Sequence, residues 1–408
     1  MKQLKSQTEE IEELKSAHKK EYGVEPLSIA TAPGRFHLLG EYTSFFKDKT
    51  LSMAVNLYVY VAISLSDDSN LEFNFVQFDE KKKSNLLQMK FKKEDKWANA
   101  IKAVIFGFQN QGFNLKGMNF TVYSNFLPSA GFGITTAIKV ASVWAIKDAL
   151  KLRCSQENLL KILEIGNKKF LNIVHQKADY FTAIYSKENS LVLTDYSTGK
   201  YEVFPFKFKN ISIILTDAGV PRISTWNEES LFQPENVLLL GELKEVRSTA
   251  YGGWVYEENP AERNEVLSVV SEDIKRRLIC VMQEHKNVLN CVSAIQKNDF
   301  SVFSRAVKHS QKIMRDLYDI SCPEIDWLLK RVSELDDNPE DIHNPVNCGR
   351  ITGKGFGRCT YSIMRTVDVE KYEQKLQEYE RIFSFKTEAY KVESVKGVHL
   401  IKSDSKNL

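Results

Sequence analysis

Residues 118–141 constrain the fold more tightly than any other stretch of the chain. The segment MNFTVYS (118–124) carries the β-branched and aromatic residues of a strand, and 137–150 has the apolar, helix-forming composition of a buried helix. Between them runs a short loop with Gly131 and Gly133, followed by Thr135 and Thr136 at the helix start. Two glycines let a backbone turn sharply and approach a ligand, and the first helical turn offers free N–H groups at the positive end of the dipole. Such a strand–loop–helix suits a phosphate. Taken alone, such a segment is more often only an ordinary capped turn.

A chain of 408 residues can bury a large core and divides naturally into two domains. With 43% apolar and 27% charged residues it has the composition of a soluble globular protein. Lys plus Arg number 56 against 53 for Asp plus Glu, and the lysines are scattered, so no nucleic-acid surface is expected. The charged N-terminal stretch has no apolar core of a signal peptide, and the apolar strip 57–65 is too short to span a bilayer. Six cysteines and seven histidines show neither metal-site nor disulfide spacing. The expectation is a cytoplasmic protein without a membrane partner.

Upstream of the loop, 9–22 reads as an amphipathic helix and 27–31 as a short strand feeding a turn at Ala32-Pro33-Gly34. The following RFHLLGEYTS (35–44) sets Arg35 and Glu41 among apolar residues, as either a structural ion pair or ligand contacts. Leu57, Val59, Val61, Ile63 and Leu65 share one face of a long strand over 53–65, and 71–78 repeats the pattern, which suggests an antiparallel sheet. Helical spacing marks 96–109, with Trp97 near its start, and 156–176. The latter leads to Asp179, whose sequence neighbours Phe170, Phe181 and Ile184 imply burial and so a partner. Strands follow at 191–195 and 211–216, helices across 228–333, and a strand and helix at 359–365 and 369–382. The pattern predicts an α+β chain of two lobes, 1–205 and 206–408.

Several motifs are absent. GRITGKG (349–355) has the wrong spacing for a P-loop and no Ser or Thr after Lys354. Gly353, Gly355 and Gly357 run into a strand rather than a helix, which excludes a dinucleotide fingerprint. Neither G-x-S-x-G nor H-E-x-x-H occurs.

Three glycine-bearing segments, in this order, resemble those of the superfamily of galactokinase, homoserine kinase, mevalonate kinase and phosphomevalonate kinase, the GHMP kinases. APGR (32–35) with LLGEYT (38–43) is similar to the first galactokinase motif, PGRVNLIGEHTDY. The stretch 127–141 resembles the second, P-x-G-x-G-L-S-S-S-A, and CGRITGKGFGRCT (348–360) the third, GARMTGGGFGGCT. Trp97-Ala98-Asn99 with Lys102 and Val104 resembles the galactokinase WANYVKGV run. His309-Ser310 with RDLYDISCPEID (315–326) is similar to that family's SH-x-x-L-R-D-x-Y-E-V-S-C-P-E-L-D, which argues against a mevalonate or homoserine kinase.

The resemblance implies a two-lobed GHMP kinase fold, with a ribosomal-protein-S5-like N-terminal lobe and a ferredoxin-like C-terminal lobe bearing extra helices. It implies phosphoryl transfer from ATP, with Mg²⁺, to the anomeric hydroxyl of galactose or a related hexose, by a monomer. Asp179 matches the family's catalytic aspartate and would take or orient the sugar hydroxyl's proton. Arg35 matches its partner arginine, which would offset charge on the transferring group. Glu41, Tyr42 and Ser44, with Arg35 and Asp179, would hold the sugar. Ala130, Gly131, Phe132, Gly133, Ile134, Thr135 and Thr136 would cradle the phosphates, with Trp97 beside the adenine. Gly353 and Gly355 would close over the reacting groups, and Thr136 and Asn167 would fall at the metal.

This chain departs from the family pattern at informative places. Ser44 stands for an Asp, which removes a charge-assisted sugar contact, and Tyr42 for a His. Asn167 stands for the metal-binding Glu, Gln176 for a Gly, and Phe132 and Ile134 add bulk to the loop. Two readings follow: an active sugar kinase, or a galactokinase-like sugar- or nucleotide-binding or regulatory protein that has lost turnover.

Overall fold

The computed structural model describes residues 1–2, 4–41, 44, 48–126, 131–173, 176–221, 268, 271–339, 341, 343–353 and 358–401. The chain forms two compact units whose segments interleave in sequence. The first holds Gln3–Arg35, Ala54–Glu188 and Ser394–Leu408; the second holds Met1–Lys2, Phe36–Met53 and Asn189–Glu393.

In the first unit, helix α1 (Gln7–Tyr22) starts at a capping box between Ser6 and Glu9 and stops at Gly23. Strands β1 (Ser28–Leu39), β2 (Lys49–Ser66), β3 (Asn70–Phe75), β4 (Glu80–Asn85) and β5 (Gly117–Ser124) follow, with helix α2 (Ala98–Asn110) before β5. β2 pairs antiparallel with β5 and β4 antiparallel with β3, but β3 and β5 are parallel. The antiparallel expectation fails at that pair because α2 lies in the connection between the two strands, and such a crossover returns the chain in its original direction. Leu14, Ile29, Tyr58, Tyr60 and Tyr123 form a core between α1 and the sheet.

Helices α3 (Ile134–Ala149), α4 (Gln156–Ile165) and α5 (Lys177–Tyr185) complete this unit. The single helix expected over 156–176 ends early. After Ile165 it widens into a π-helical turn, Gly166–Leu171, which closes at Asn172 with φ 54° and a bond from its N–H to the Asn167 carbonyl. Departures of this type cluster at functional sites. The C-terminal segment then returns to the unit. Leu400 pairs with Ala30 of β1, and the N–H groups of Gly397 and Val398 donate to the carbonyls of Ser186 and Ala183 at 2.9 and 2.8 Å.

The second unit takes the end of β1 and the start of β2, where Lys49–Ser52 pairs antiparallel with β6 (Ser190–Asp195). β7 (Lys200–Pro205) pairs with β6, so residue 205 ends a strand inside this unit. Strand β8 (Ile211–Asp217), helices α6 (Glu272–Lys297), α7 (Phe300–Asp316) and α8 (Pro323–Glu334), strands β9 (Cys348–Thr352) and β10 (Cys359–Arg365), helix α9 (Val369–Phe383) and strand β11 (Glu388–Val392) follow. The antiparallel sheet β11-β8-β10-β9 buries Ile214, Ile351 and Met364 with Leu328 of α8 and Tyr372 and Tyr379 of α9. The helices expected between 228 and 267 lie outside the described residues.

Candidate functional site

β1 runs straight through Pro33 and Gly34, where a turn was expected. The glycine is needed for close approach instead: a Cβ on Gly34 would lie 3.1 Å from the carbonyl oxygens of Leu57 and Phe132. The straight strand delivers Arg35 to the glycine loop. Its N–H donates to the Phe132 carbonyl at 2.8 Å and its Nη1 to the Gly131 carbonyl at 2.7 Å. Nε donates to Asp179 Oδ1 at 2.5 Å, and Nη2 pairs with the same oxygen. The side chains are only 13% and 9% exposed, so the partner required by a buried Asp179 is Arg35. Asp179 lies in the first turn of α5, where the helix dipole favours a negative charge.

Gly133 caps α3 with φ 83° and offers no side-chain oxygen to the first turn. The N–H groups of that turn are therefore not consumed by a capping side chain, as a phosphate cradle requires. Phe132 is buried, and its carbonyl faces Arg35, so its bulk goes to the core. Ile134 is half-buried, Thr135 exposed and Thr136 buried, while Ala130 lies outside the described residues. Trp97 is half-buried; its Nε1 donates to Glu80 at 2.9 Å, and its ring stands nearly perpendicular to that of Phe75 with the centroids 5.1 Å apart.

One residue without a predicted role stands out here. Lys139, fully buried on α3, donates from Nζ to Asn167 Oδ1 and to Gln176 Oε1, both at 2.7 Å. Asn167 Nδ2 donates to the same Gln176 oxygen at 2.9 Å, and the Tyr180 ring lies 5.2 Å from the ammonium. Burial pushes the amine down to about 7, opposed by the charge of Asp179. The sequence signal was available: a lysine inside the apolar run of α3, three residues beyond Thr136.

A divalent cation of the Mg²⁺ type takes several oxygen donors, carboxylates foremost. Among the described residues no group of three His, Cys, Asp or Glu could hold a metal. The Asn167 carbonyl already accepts from an ammonium, and Asp179 already accepts from Arg35. The donor set at Asn167 and Thr136 does not fit a side-chain-ligated Mg²⁺.

The other predicted residues belong to the second unit. Glu41 is buried, accepts from the Gly353 N–H at 3.1 Å and lies 3.9 Å from Arg350 Nη1. Arg350 has no exposed side-chain surface; Nη2 donates to Glu284 Oε1 at 3.2 Å and Nε to Ser310 Oγ at 2.7 Å. Glu284 also accepts from Ser310 Oγ at 2.6 Å and from the Gly40 N–H at 2.8 Å. The segment that carries Glu41 is thus tied through Gly40 to α6. Ser310 and Arg350 stood inside recognised motifs without a role, and Glu284 had no sequence signal beyond helical spacing. Ser44 is half-buried; Tyr42 and Gly355 lie outside the described residues.

Comparison with known proteins places these features in a family. Residues 16–65 match the model of the galactokinase galactose-binding signature, and 98–187 that of the GHMP kinases N terminal domain. The protein named "Putative galactokinase" in Treponema pallidum is 37% identical over 398 residues, 96% of this chain and 97% of its own length. The galactokinase of Clostridium beijerinckii is 26% identical, covering 96% of this chain and all of its own. Among solved structures, Lactococcus lactis galactokinase complexed with galactose superposes with a TM-score of 0.82 at 16% identity, over 95% of this chain and 99% of that one. A mevalonate kinase gives a TM-score of 0.61 at 13% identity, over 90% and 99%. With the two-lobed fold matched throughout and one relative similar over nearly its whole length, the chain belongs to the galactokinase family of the GHMP kinases.

Proposed function

We propose that this protein transfers the γ-phosphoryl group of ATP to the anomeric hydroxyl of galactose or a closely related hexose. The observation that carries the reading is the Arg35–Asp179 pair, with the arginine also bonded to the Gly131 carbonyl of the glycine loop. In the reaction the sugar oxygen bonds to the γ-phosphorus, the bond from that phosphorus to the β–γ bridging oxygen breaks, and ADP leaves. The hydroxyl proton passes to the Asp179 carboxylate. Arg35 orients that carboxylate, and the first-turn N–H groups of α3 hold phosphate oxygens. Magnesium arriving with the nucleotide would supply charge neutralisation, and no described side chain is assigned to hold it. Glu41, Tyr42, Ser44, Trp97, Gly353 and Gly355 carry their sugar and nucleotide roles from the family resemblance.

The test is ADP release from Mg·ATP across a panel of hexoses. Galactose or a near relative should start turnover, and Asp179→Asn should abolish it while ATP binding persists. A second reading, a sugar- or nucleotide-binding protein without turnover, is favoured by Ser44 and Asn167, which replace two carboxylates of the family pattern. ATP binding with no hexose-dependent turnover would establish that reading instead. Among the described residues no helix is long and apolar enough to cross a membrane; a cytoplasmic monomer is part of the proposal, which sedimentation and fractionation would check.

A further inference from the structure

We infer that Lys139 replaces a side-chain metal ligand: its buried ammonium supplies positive charge to the phosphate end of the site, and Mg²⁺ enters held by the nucleotide alone. The inference rests on the kinase reading above.

Three observations carry it. Lys139 and Thr136 lie three residues apart on α3, hence on one face one turn from the helix start. Its two acceptors, Asn167 Oδ1 and Gln176 Oε1, are neutral amides, which fix the ammonium without cancelling its charge. The acidic group that acts on it electrostatically, Asp179, is already paired with Arg35. Arg35, Lys139 in its protonated form and Asp179 together leave one positive charge in excess among the described residues, in a buried setting that makes such an unmatched ion costly and pushes the amine down to about 7. A polyphosphate at the neighbouring helix N-terminus would match it. The departures at Asn167 and Gln176 then make sense together: they are the two side chains that hold Lys139, and a carboxylate at either would neutralise it. Lys139 is a positioning and electrostatic residue, acting without touching the reacting atoms.

The experiment is calorimetric titration of the full-length protein with a non-hydrolysable ATP analogue, once in EDTA and once in saturating Mg²⁺. Wild type should bind the metal-free analogue within about tenfold of the Mg²⁺ complex. Lys139→Met should weaken metal-free binding by about tenfold or more and Mg²⁺-complex binding by less than about threefold, whereas Lys139→Arg should stay near wild type. Asn167→Glu, which keeps a hydrogen bond to Lys139 but neutralises it, should reproduce the Lys139→Met pattern. Electron paramagnetic resonance of Mn²⁺ in the ADP complex gives an independent reading: Asn167→Ala should leave Mn²⁺ affinity unchanged. Equal loss of both analogue forms in Lys139→Met, unchanged metal-free binding in it, or a large fall in Mn²⁺ affinity in Asn167→Ala would overturn the inference. Failure of wild type to bind either form would overturn the kinase reading, and this inference with it.

Discussion

Gly133 lies directly against the side chain of Arg35: a Cβ added to the glycine would meet Arg35 Cγ at 3.1 Å and Cζ and Nε at 3.4 Å. The same residue has φ 83°, in the left-handed region. One position therefore sets both the start of α3 and the seat of the guanidinium that grips Asp179.

Gly133→Ala should consequently fail in two ways. The left-handed backbone should cost about 1–2 kcal/mol, read as a lower melting temperature. The displaced guanidinium should lower turnover by about tenfold or more, since misplacement of about 1 Å near the chemistry can cost far more. A variant with both stability and rate at wild-type levels would contradict this account of the loop.

Arg35→Lys keeps the charge but loses the fork. One ammonium cannot reproduce the separate bonds from Nη1 to Gly131 and from Nε to Asp179. Steady-state kinetics should show kcat down by roughly 10- to 100-fold, with the KM for ATP moving much less. A rate within twofold of wild type would mean that charge alone suffices.

Arg350 and Glu284 should behave as a coupled pair in unfolding experiments. Glu284→Gln removes the carboxylate that receives Arg350, Ser310 and the Gly40 N–H. Breaking one side of a buried ion pair should cost about 3–5 kcal/mol in urea titrations, and adding Arg350→Met should recover part of that loss. A Glu284→Gln midpoint equal to that of wild type would show that the network contributes nothing to stability.

His18 makes acid sensitivity testable away from the site. Its ring is buried between Thr121 Oγ1 at 2.9 Å and Ser64 Oγ at 3.0 Å, and burial pushes its pKa from 6.5 down to about 4. Between those values the unfolded chain binds a proton that the folded one does not. The contribution is therefore full above pH 6.5 and is lost as the pH falls toward 4, by up to about 3 kcal/mol. Melting temperatures measured from pH 7 to 4.5 should drop less steeply for His18→Gln. Identical slopes would rule His18 out as a source of the acid sensitivity.

The sequence made some of this plain and hid the rest for physical reasons. The strand–glycine loop–helix, the pairing need of Asp179 and the small C-terminal sheet were legible, because periodicity and burial are local properties. The turn at Pro33-Gly34 was misread since glycine and proline mark turns far more often than a straight strand pressed on its neighbour's carbonyls. The parallel pairing of β3 with β5 depends on where a helix intervenes, and alternation alone carries no direction. Lys139 shows the deepest reason. A lysine in sequence reads as solvated surface, and only the fold brings Asn167 and Gln176, residues from separate segments, onto its amine.

The pairing of Leu400 with Ala30 also bears on how the enzyme is made. The neighbour that β1 has on that side is synthesised long after β1 itself. Until then α5, which carries Asp179, lacks the backbone bonds that Gly397 and Val398 donate to Ser186 and Ala183 at its end. A nascent chain that has not yet reached residue 400 therefore carries α5 and Asp179 in an unfinished scaffold.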